Sequence, residues 1–373
     1  MSTIALDATY SVDPEPTGIA VYSRRLVESL LQLPTAHRFL VCYRLSRWRQ
    51  RKSFLRPARC NQFGIRLFQE PLTFWLPWQT DLFHSLAQRP PAFRFRKEVV
   101  TVFDIFPITG TDYSTPDFRR KFSTLLRDAV RRAARVITAS HYTAGQLEQH
   151  CGVAPEKICV IPVGTDIPAA LPTDEDRANE RQRWVGPENE LVLTVGAIQN
   201  RKNTLGAVRA AAMLPERYHL LLAGGDGHGS EAVHDFIRSE QLGGRIHTPG
   251  YVSPSQLESL YNAASVFLFP SFEEGFGIPV LEAMARGVPV IAANASSLPE
   301  VAGDAALYVD PHSVEEMAAK VRRIVEDGNF RAELIQRGRA RAQQFTWQST
   351  AEKTLAVYEA VLSEHKNAAT RDG

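Results

Sequence analysis

Short β-branched runs alternate with stretches of helical periodicity along almost the whole chain, and this rhythm restricts the fold more than any other feature. Strands are expected at 4–8, 38–43, 81–84, 99–103 and 135–138 in the N-terminal half, and at 191–195, 218–223, 266–269, 288–292 and 307–309 in the C-terminal half. Helices are expected at 18–31, 117–134 and 143–151, the last with Ser140 as its N-cap, and again between the later strands. Strand–helix alternation implies parallel sheets covered on both faces, because parallel neighbours need a long crossover. A length of 373 residues exceeds a single core and suits two domains of about 170–190 residues. The break is expected within 164–190, where Pro168, Pro172, Thr173, Asp174, Glu175 and Asp176 interrupt the apolar pattern. The expectation is therefore an α/β chain of two doubly wound, Rossmann-like domains, residues 1–170 and 186–346. A last helix from about 347 toward 373 has no following strand to pair with.

Apolar content of 44% and charged content of 23% are those of an ordinary globular chain. There is no apolar run of membrane-spanning length, and the first residues lack the layout of a signal peptide, so a cytoplasmic location is expected. Cys42, Cys60, Cys151 and Cys159 form no C-x-x-C pair and have no histidine at zinc spacing, which argues against a metal or disulfide framework. Net charge is only +2, yet no acidic residue falls between Glu28 and Glu70, where Arg38, Arg44, Arg47, Arg49, Arg51, Lys52, Arg56, Arg59 and Arg66 lie. With Trp48 and Phe54 interleaved, the run from Arg44 through Arg59 suits an anionic membrane surface, the protein then sitting at the inner membrane face; a solvated basic face is the other reading. No nucleic-acid module accompanies the block, and a nucleic-acid partner is not expected.

The chemistry concentrates in Glu274-Gly275-Phe276-Gly277-Ile278-Pro279-Val280-Leu281-Glu282, two carboxylates eight positions apart across a glycine turn that opens a helix. Pro279 suits the first helical turn, and Gly287 ends the apolar pattern. Glycines before a helix N-terminus let backbone N–H groups approach a phosphate, assisted by the helix dipole. Glu282 is placed to accept from a vicinal diol such as ribose, and Glu274 to meet hydroxyls of the group attached to the diphosphate. Upstream, the strand at 191–195 runs into Gly196-Ala197-Ile198-Gln199-Asn200-Arg201-Lys202, at the end of a parallel strand where ligands bind. Cations there stabilise the charge that a leaving diphosphate gains, more in the transition state than in the ground state.

This constellation resembles the E-x7-E motif of the retaining glycosyltransferases of family 4, which have the GT-B fold. The likeness is densest over 191–311, where Pro270-Ser271, Gly287-Val288-Pro289-Val290 and Pro299-Glu300-Val301-Ala302-Gly303 follow the family's wording. The resemblance implies two Rossmann-like domains facing a cleft that closes on the substrates, with the C-terminal helix returning to the first domain. It assigns the donor site to Gly18, Gly196, Arg201, Lys202, Tyr251, Val252, Glu274, Gly275, Phe276, Gly277, Ile278 and Glu282. Lys202 stands where a family cation is usual. Ala197 replaces a second one, and Arg201 takes its place as in a mannosyltransferase-like branch that writes Arg-Lys-Asn here. Gly18 matches the family's N-domain glycine loop, while Tyr251-Val252 matches the segment that holds the base through its backbone.

One position departs from the family pattern. Phe103 stands where many relatives carry a histidine that contacts the transferred sugar, and Asp104 follows it. Asp104 is open to two roles, acceptance of the proton from the acceptor's hydroxyl or capping of the loop beyond. His84 is read as a structural histidine, and the D-x-D spelling of Asp174-Glu175-Asp176 as solvated linker charge rather than a metal site. No metal or resident cofactor is expected.

The resulting expectation is a metal-independent, retaining hexosyltransferase with GDP-mannose as the donor and a saccharide acceptor, including a lipid-linked one, in polysaccharide or glycolipid synthesis. Glu274, Arg201, Lys202 and Asp104 form its catalytic set. The alternatives are a catalytically idle GT-B subunit that binds nucleotide sugars, suggested by Phe103, and a GT-B epimerase.

Overall fold

Every strand pairing among the described residues is parallel. The computed structural model describes residues 1–53 and 63–369, so Phe54, Arg56, Arg59 and Cys60 lie outside the described residues. The chain divides into two compact units. One comprises Met1–Ile108, Asp117–Gly164 and the chain from Phe345; the other comprises Thr109–Pro116 and Thr165–Gln344.

The first unit carries β1 (Thr3–Asp7), β2 (Arg38–Tyr43), β3 (Phe63–Leu67), β4 (Leu82–Ser85), β5 (Glu98–Val102), β6 (Arg135–Thr138) and β7 (Ile158–Val160). They line up as β3-β2-β1-β4-β5-β6-β7, so strand order reverses between β1 and β4. The helix Gly18–Gln32 buries Ala20, Tyr22, Ser23, Leu26, Val27, Leu30 and Leu31, the one-sided stripe expected of a helix laid on a sheet. Its partner is the last helix, Trp347–Ala369, which returns to this unit as the resemblance implied. Tyr358 of that helix is wholly buried and bonds His84 Nδ1 at 2.6 Å, while His84 Nε2 meets Thr101 Oγ1 at 2.9 Å. Burial without a charged partner lowers the His84 pKa to about 3, so the ring is a neutral link between β4, β5 and the last helix. Arg132 and Glu98 form a second buried tie, Nη2 to Oε1 at 2.7 Å and Nε to Oε2 at 3.0 Å.

The second unit carries β8 (Glu190–Val195), β9 (Tyr218–Ala223), β10 (Ile246–Gly250), β11 (Val266–Phe269), β12 (Val290–Ala293) and β13 (Ala306–Val309). Their order is β10-β9-β8-β11-β12-β13, and the reversal falls between β8 and β11. The core of this unit combines Val192, Leu220, Leu222, Val266, Leu268 and Ile291 of the sheet with Ala207, Ala211, Met317 and Val321 of the covering helices.

Two expectations need correction. β3, β7 and β10 were not foreseen: β7 is three residues long, and β10 reads Ile-His-Thr-Pro-Gly, which is neither alternating nor strongly apolar. The polar stretch expected to be a linker is in part a helix, Asp174–Val185. Thr173 and Asp176 close a reciprocal capping box, with Thr173 Oγ1 accepting from Asp176 N at 3.1 Å and Asp176 Oδ2 accepting from Thr173 N at 2.9 Å. The acidic triplet thus sits at the positive end of a helix, and Trp184 Nε1 ties that helix to Ser259 at 2.9 Å.

Candidate active site

The reversal in the second sheet places the turns after β8 and β11 side by side, which is where an open parallel sheet receives ligands. After β8 the chain turns at Gly196, whose φ of +128° favours glycine. A Cβ at Gly196 would also lie 2.6 Å from Lys202 Cε. A single 3-10 turn, Asn200–Lys202, follows and ends at Asn203 with φ of +53°. Asn203 Nδ2 donates to Pro270 O at 3.2 Å and Pro311 O at 2.6 Å, fastening this turn to the one after β11.

The turn after β11 leads through Glu274 and Gly275 to Gly277, which has φ of +114° and precedes the helix Ile278–Ala285. Glu274 is 8% exposed. Its Oε1 accepts from Lys202 Nζ at 2.8 Å, and its Oε2 lies 3.1 Å from Arg201 Nη1. Lys202 Nζ also sits 4.7 Å from the centre of the Phe269 ring. Burial pushes the Glu274 carboxyl up, but the Arg201 and Lys202 charges and hydrogen bonds outweigh it and hold the pKa near 2. Sequence reading assigned Arg201 and Lys202 to a diphosphate and Glu274 to hydroxyls; in the structure the three are joined. Together they sum to one positive charge.

The sign of the Glu274 shift gives a testable acid dependence. The folded carboxyl binds its proton less tightly than an unfolded glutamate of pKa 4.5. The stabilisation is complete above that value and is lost as pH falls toward about 2. Urea titrations over this range are expected to show a flatter acid limb for Glu274→Gln than for the native chain. Parallel limbs would mean that the carboxylate contributes nothing to folding.

Glu282 stands further along the helix Ile278–Ala285, partly buried, where Oε2 accepts from Tyr261 OH at 2.9 Å. Burial raises its pKa, opposed by the Tyr261 hydrogen bond and by Arg286. Tyr251 is 42% exposed just past β10, and Val252 beside it is buried. Phe276 is buried against the same turn. Gly18 and Asp104 belong to the first unit: Gly18 opens its helix after β1, at the reversal of the first sheet, and Asp104 lies beyond β5. The Phe103 ring packs edge-on against Tyr22 of that helix, centroids 4.8 Å apart.

Several residues that shape the turn were not foreseen. Ser296 Oγ accepts from Glu274 N at 3.0 Å, and the buried Ser297 Oγ lies 2.8 Å from Glu274 O and 2.9 Å from Phe276 O. Arg201 Nη1 donates to Glu273 O at 2.5 Å, and the Glu273 carboxylate accepts from Thr109 Oγ1 at 2.6 Å. Sequence offers little signal for these contacts beyond the nearness of Ser296 and Ser297 to Pro299 and Glu300. Among the described residues no cluster of three or more potential metal ligands occurs.

Comparison with known proteins agrees with this architecture. Residues 176–341 match the family model for glycosyl transferases group 1, and residues 16–168 match that for glycosyltransferase family 4. O-antigen chain mannosyltransferase B of Escherichia coli is 30% identical over 269 residues, 71% of each chain. D-inositol 3-phosphate glycosyltransferase of Acidothermus cellulolyticus is 33% identical over 258 residues, which span 65% of this chain and 57% of that protein. The sucrose-phosphate synthase structure from Thermosynechococcus elongatus superposes with a TM-score of 0.78 at 22% identity, covering 98% of this chain and all of that one. The Anabaena protein HepE, in complex with UDP and glucose, superposes with a TM-score of 0.77 at 19% identity over 96% of this chain and all of its own.

Proposed function

Because this chain belongs to glycosyltransferase family 4, with the GT-B fold of two Rossmann-like domains, we propose that it transfers mannose from GDP-mannose to a saccharide acceptor with retention of anomeric configuration and without a metal. The observation that carries this reading is the largely buried group of Arg201, Lys202 and Glu274 at the strand reversal. Two cations held in place by buried contacts at this reversal suit the diphosphate of a nucleotide sugar.

In this reading the diphosphate draws on Arg201 and Lys202, and the backbone of 275–278 approaches it at the start of the helix Ile278–Ala285. Glu282 accepts from the ribose hydroxyls. Glu274, held ionised, orients the sugar. As the glycosidic bond breaks, its electron pair goes to the diphosphate oxygen, and the two cations stabilise the charge that develops there. The acceptor hydroxyl adds to the face that the diphosphate leaves, so no covalent enzyme intermediate forms, and Asp104 takes the hydroxyl proton. Mannose is favoured by the Arg201-Lys202-Asn203 wording and by the named activity of the Escherichia coli relative. A lipid-linked saccharide is included in the acceptor class, and the exposed Arg49 and Lys52 of the basic run meet an anionic membrane surface, whereas Arg44 and Arg47 pair with Asp7 and Asp13.

A thermal-shift panel of guanosine, uridine and adenosine diphosphates and their sugars tests the donor. A ligand at a hundred times its dissociation constant stabilises the fold by about 2.7 kcal/mol. The guanosine compounds are expected to give the largest shift, and Glu282→Ala to reduce it. A larger uridine or adenosine shift would reject the GDP assignment. Transfer or donor hydrolysis by the purified protein excludes the idle-subunit alternative, and absence of deuterium exchange into recovered donor excludes the epimerase.

A further inference from the structure

β2 and β3 run side by side with Tyr43 in register with Leu67, and Phe68 N donates to Tyr43 O at 2.9 Å. The segments that follow these strands therefore leave the first sheet at the same corner. After β2 comes the basic turn that begins at Arg44, with Arg49 and Lys52 exposed. After β3 comes the segment 69–80, which is pinned by inward residues. Leu76 is buried with Phe68 and Phe83, Thr73 Oγ1 donates to Gln69 O at 3.1 Å, and Thr80 Oγ1 donates to Leu76 O at 2.8 Å.

With those anchors inside, Leu72, Phe74, Trp75 and Trp78 point outward at 60%, 60%, 45% and 80% exposure. The three rings form a cluster, since the Phe74 ring meets Trp75 and Trp78 edge-on at 5.3 and 6.0 Å. Leu45, 56% exposed, joins the basic turn to the apolar one, its N–H donating to Gln69 Oε1 at 3.3 Å. No charged residue occurs from 71 to 80, and the Glu70 carboxylate before it accepts from Ala92 N at 2.5 Å. Exposed apolar residues are ordinary when scattered, but a contiguous aromatic group at the same sheet corner as a basic turn marks a contact surface.

We propose that this corner inserts into an anionic bilayer, with the rings of Phe74, Trp75 and Trp78 at the boundary of headgroups and acyl chains. Arg49 and Lys52 of the basic turn at the same corner meet the anionic headgroups. Tryptophan suits that boundary because one end of its ring system is apolar and the other carries an N–H. The cations complement the negative surface of the leaflet. The inference rests on the membrane reading of the basic run, from which it takes Arg49 and Lys52, and adds the rings of Phe74, Trp75 and Trp78 as an independent part. Membrane attachment here has a salt-sensitive part, from the cations, and a salt-resistant part, from the rings.

Flotation of the full chain with phosphatidylcholine vesicles, with and without phosphatidylglycerol, at low and high salt, separates the two parts. The native protein is expected to bind the anionic vesicles, to keep part of that binding at high salt, and to show a blue shift in tryptophan emission. Phe74→Ser with Trp78→Ser is expected to lower partitioning about a hundredfold at either salt, roughly tenfold for each ring. That variant keeps native transfer to a water-soluble acceptor. Arg49→Glu with Lys52→Glu removes only the salt-sensitive part. If that charge variant binds normally while the ring variant does not, the basic-run reading fails and the insertion surface stands. Native partitioning of the ring variant overturns the proposal. So does a change in its sedimentation without lipid, which would make the cluster a contact between copies of the chain.

Discussion

Lys202→Ala is expected to reduce the kcat/KM of glycosyl transfer by about a thousandfold while leaving the protein folded. Lys202 Nζ is 2.8 Å from Glu274 Oε1 and 4.7 Å from the Phe269 ring centre, in a setting with little access to water. Loss of this cation leaves Arg201 and Glu274 as a neutral pair. The attraction for a diphosphate falls, and so does the stabilisation of the charge that appears on the leaving oxygen, so KM and kcat both move. Lys202→Met is the control, because it keeps an unbranched apolar chain beside Gly196 and removes the charge that lies over the Phe269 ring. Steady-state kinetics and nucleotide titration of the two variants decide the matter. Native turnover by Lys202→Met would remove this lysine from the catalytic set.

The largest effect on stability is expected at Arg132→Ala. Arg132 and Glu98 have side chains only 3% and 7% exposed, and they meet through two parallel contacts. The guanidinium also donates to Pro91 O at 2.6 Å and Phe93 O at 2.9 Å, while Glu98 Oε1 accepts from Phe95 N at 2.9 Å. Removing the arginine leaves a buried carboxylate without its cation, and breaking a pair in this way costs about 3–5 kcal/mol. Global stabilities are about 5–15 kcal/mol, so urea unfolding should shift far toward low concentration. The double replacement Arg132→Met with Glu98→Leu is expected to recover much of the loss, since it strands no charge. A loss under about 1 kcal/mol for Arg132→Ala would mean that water reaches Glu98 and that the pair is not a buried one.

Local signals made much of the fold legible. The helix His141–Cys151 begins where Ser140 announced it, with Ser140 Oγ accepting from Thr143 N at 3.1 Å. Pro279 lies in the first turn of the helix Ile278–Ala285, and Gly287 follows that helix with φ of +67°. The misses came where local pattern and tertiary outcome diverge. Among the residues of the helix Asp174–Val185 only Val185 is buried, so no apolar period marked it; the Thr173-x-x-Asp176 capping box was the signal available. At the candidate site, residue types and spacing identified Glu274, Lys202 and Arg201, but not their mutual pairing. That pairing depends on β8 and β11 being neighbours, and β9, β10 and their helices separate these strands along the chain. The Tyr261 contact to Glu282 and the Ser296 and Ser297 contacts to the glycine turn depend on the same long-range assembly.

The return of the helix Trp347–Ala369 to the first unit means that the second unit is, for its largest part, an insertion inside the first. No single cut releases the N-terminal portion intact. A fragment ending at Gly164 would lack Tyr358, uncover His84 and Tyr22, and deprive Lys97 Nζ of the Val361 and Leu362 carbonyls to which it donates. With the donor placed in the second unit, as proposed, exchange of donor specificity is best attempted by cassette. The block Thr165–Gln344 can be replaced while both flanks are kept, and the short Thr109–Pro116 piece travels with the block it packs against.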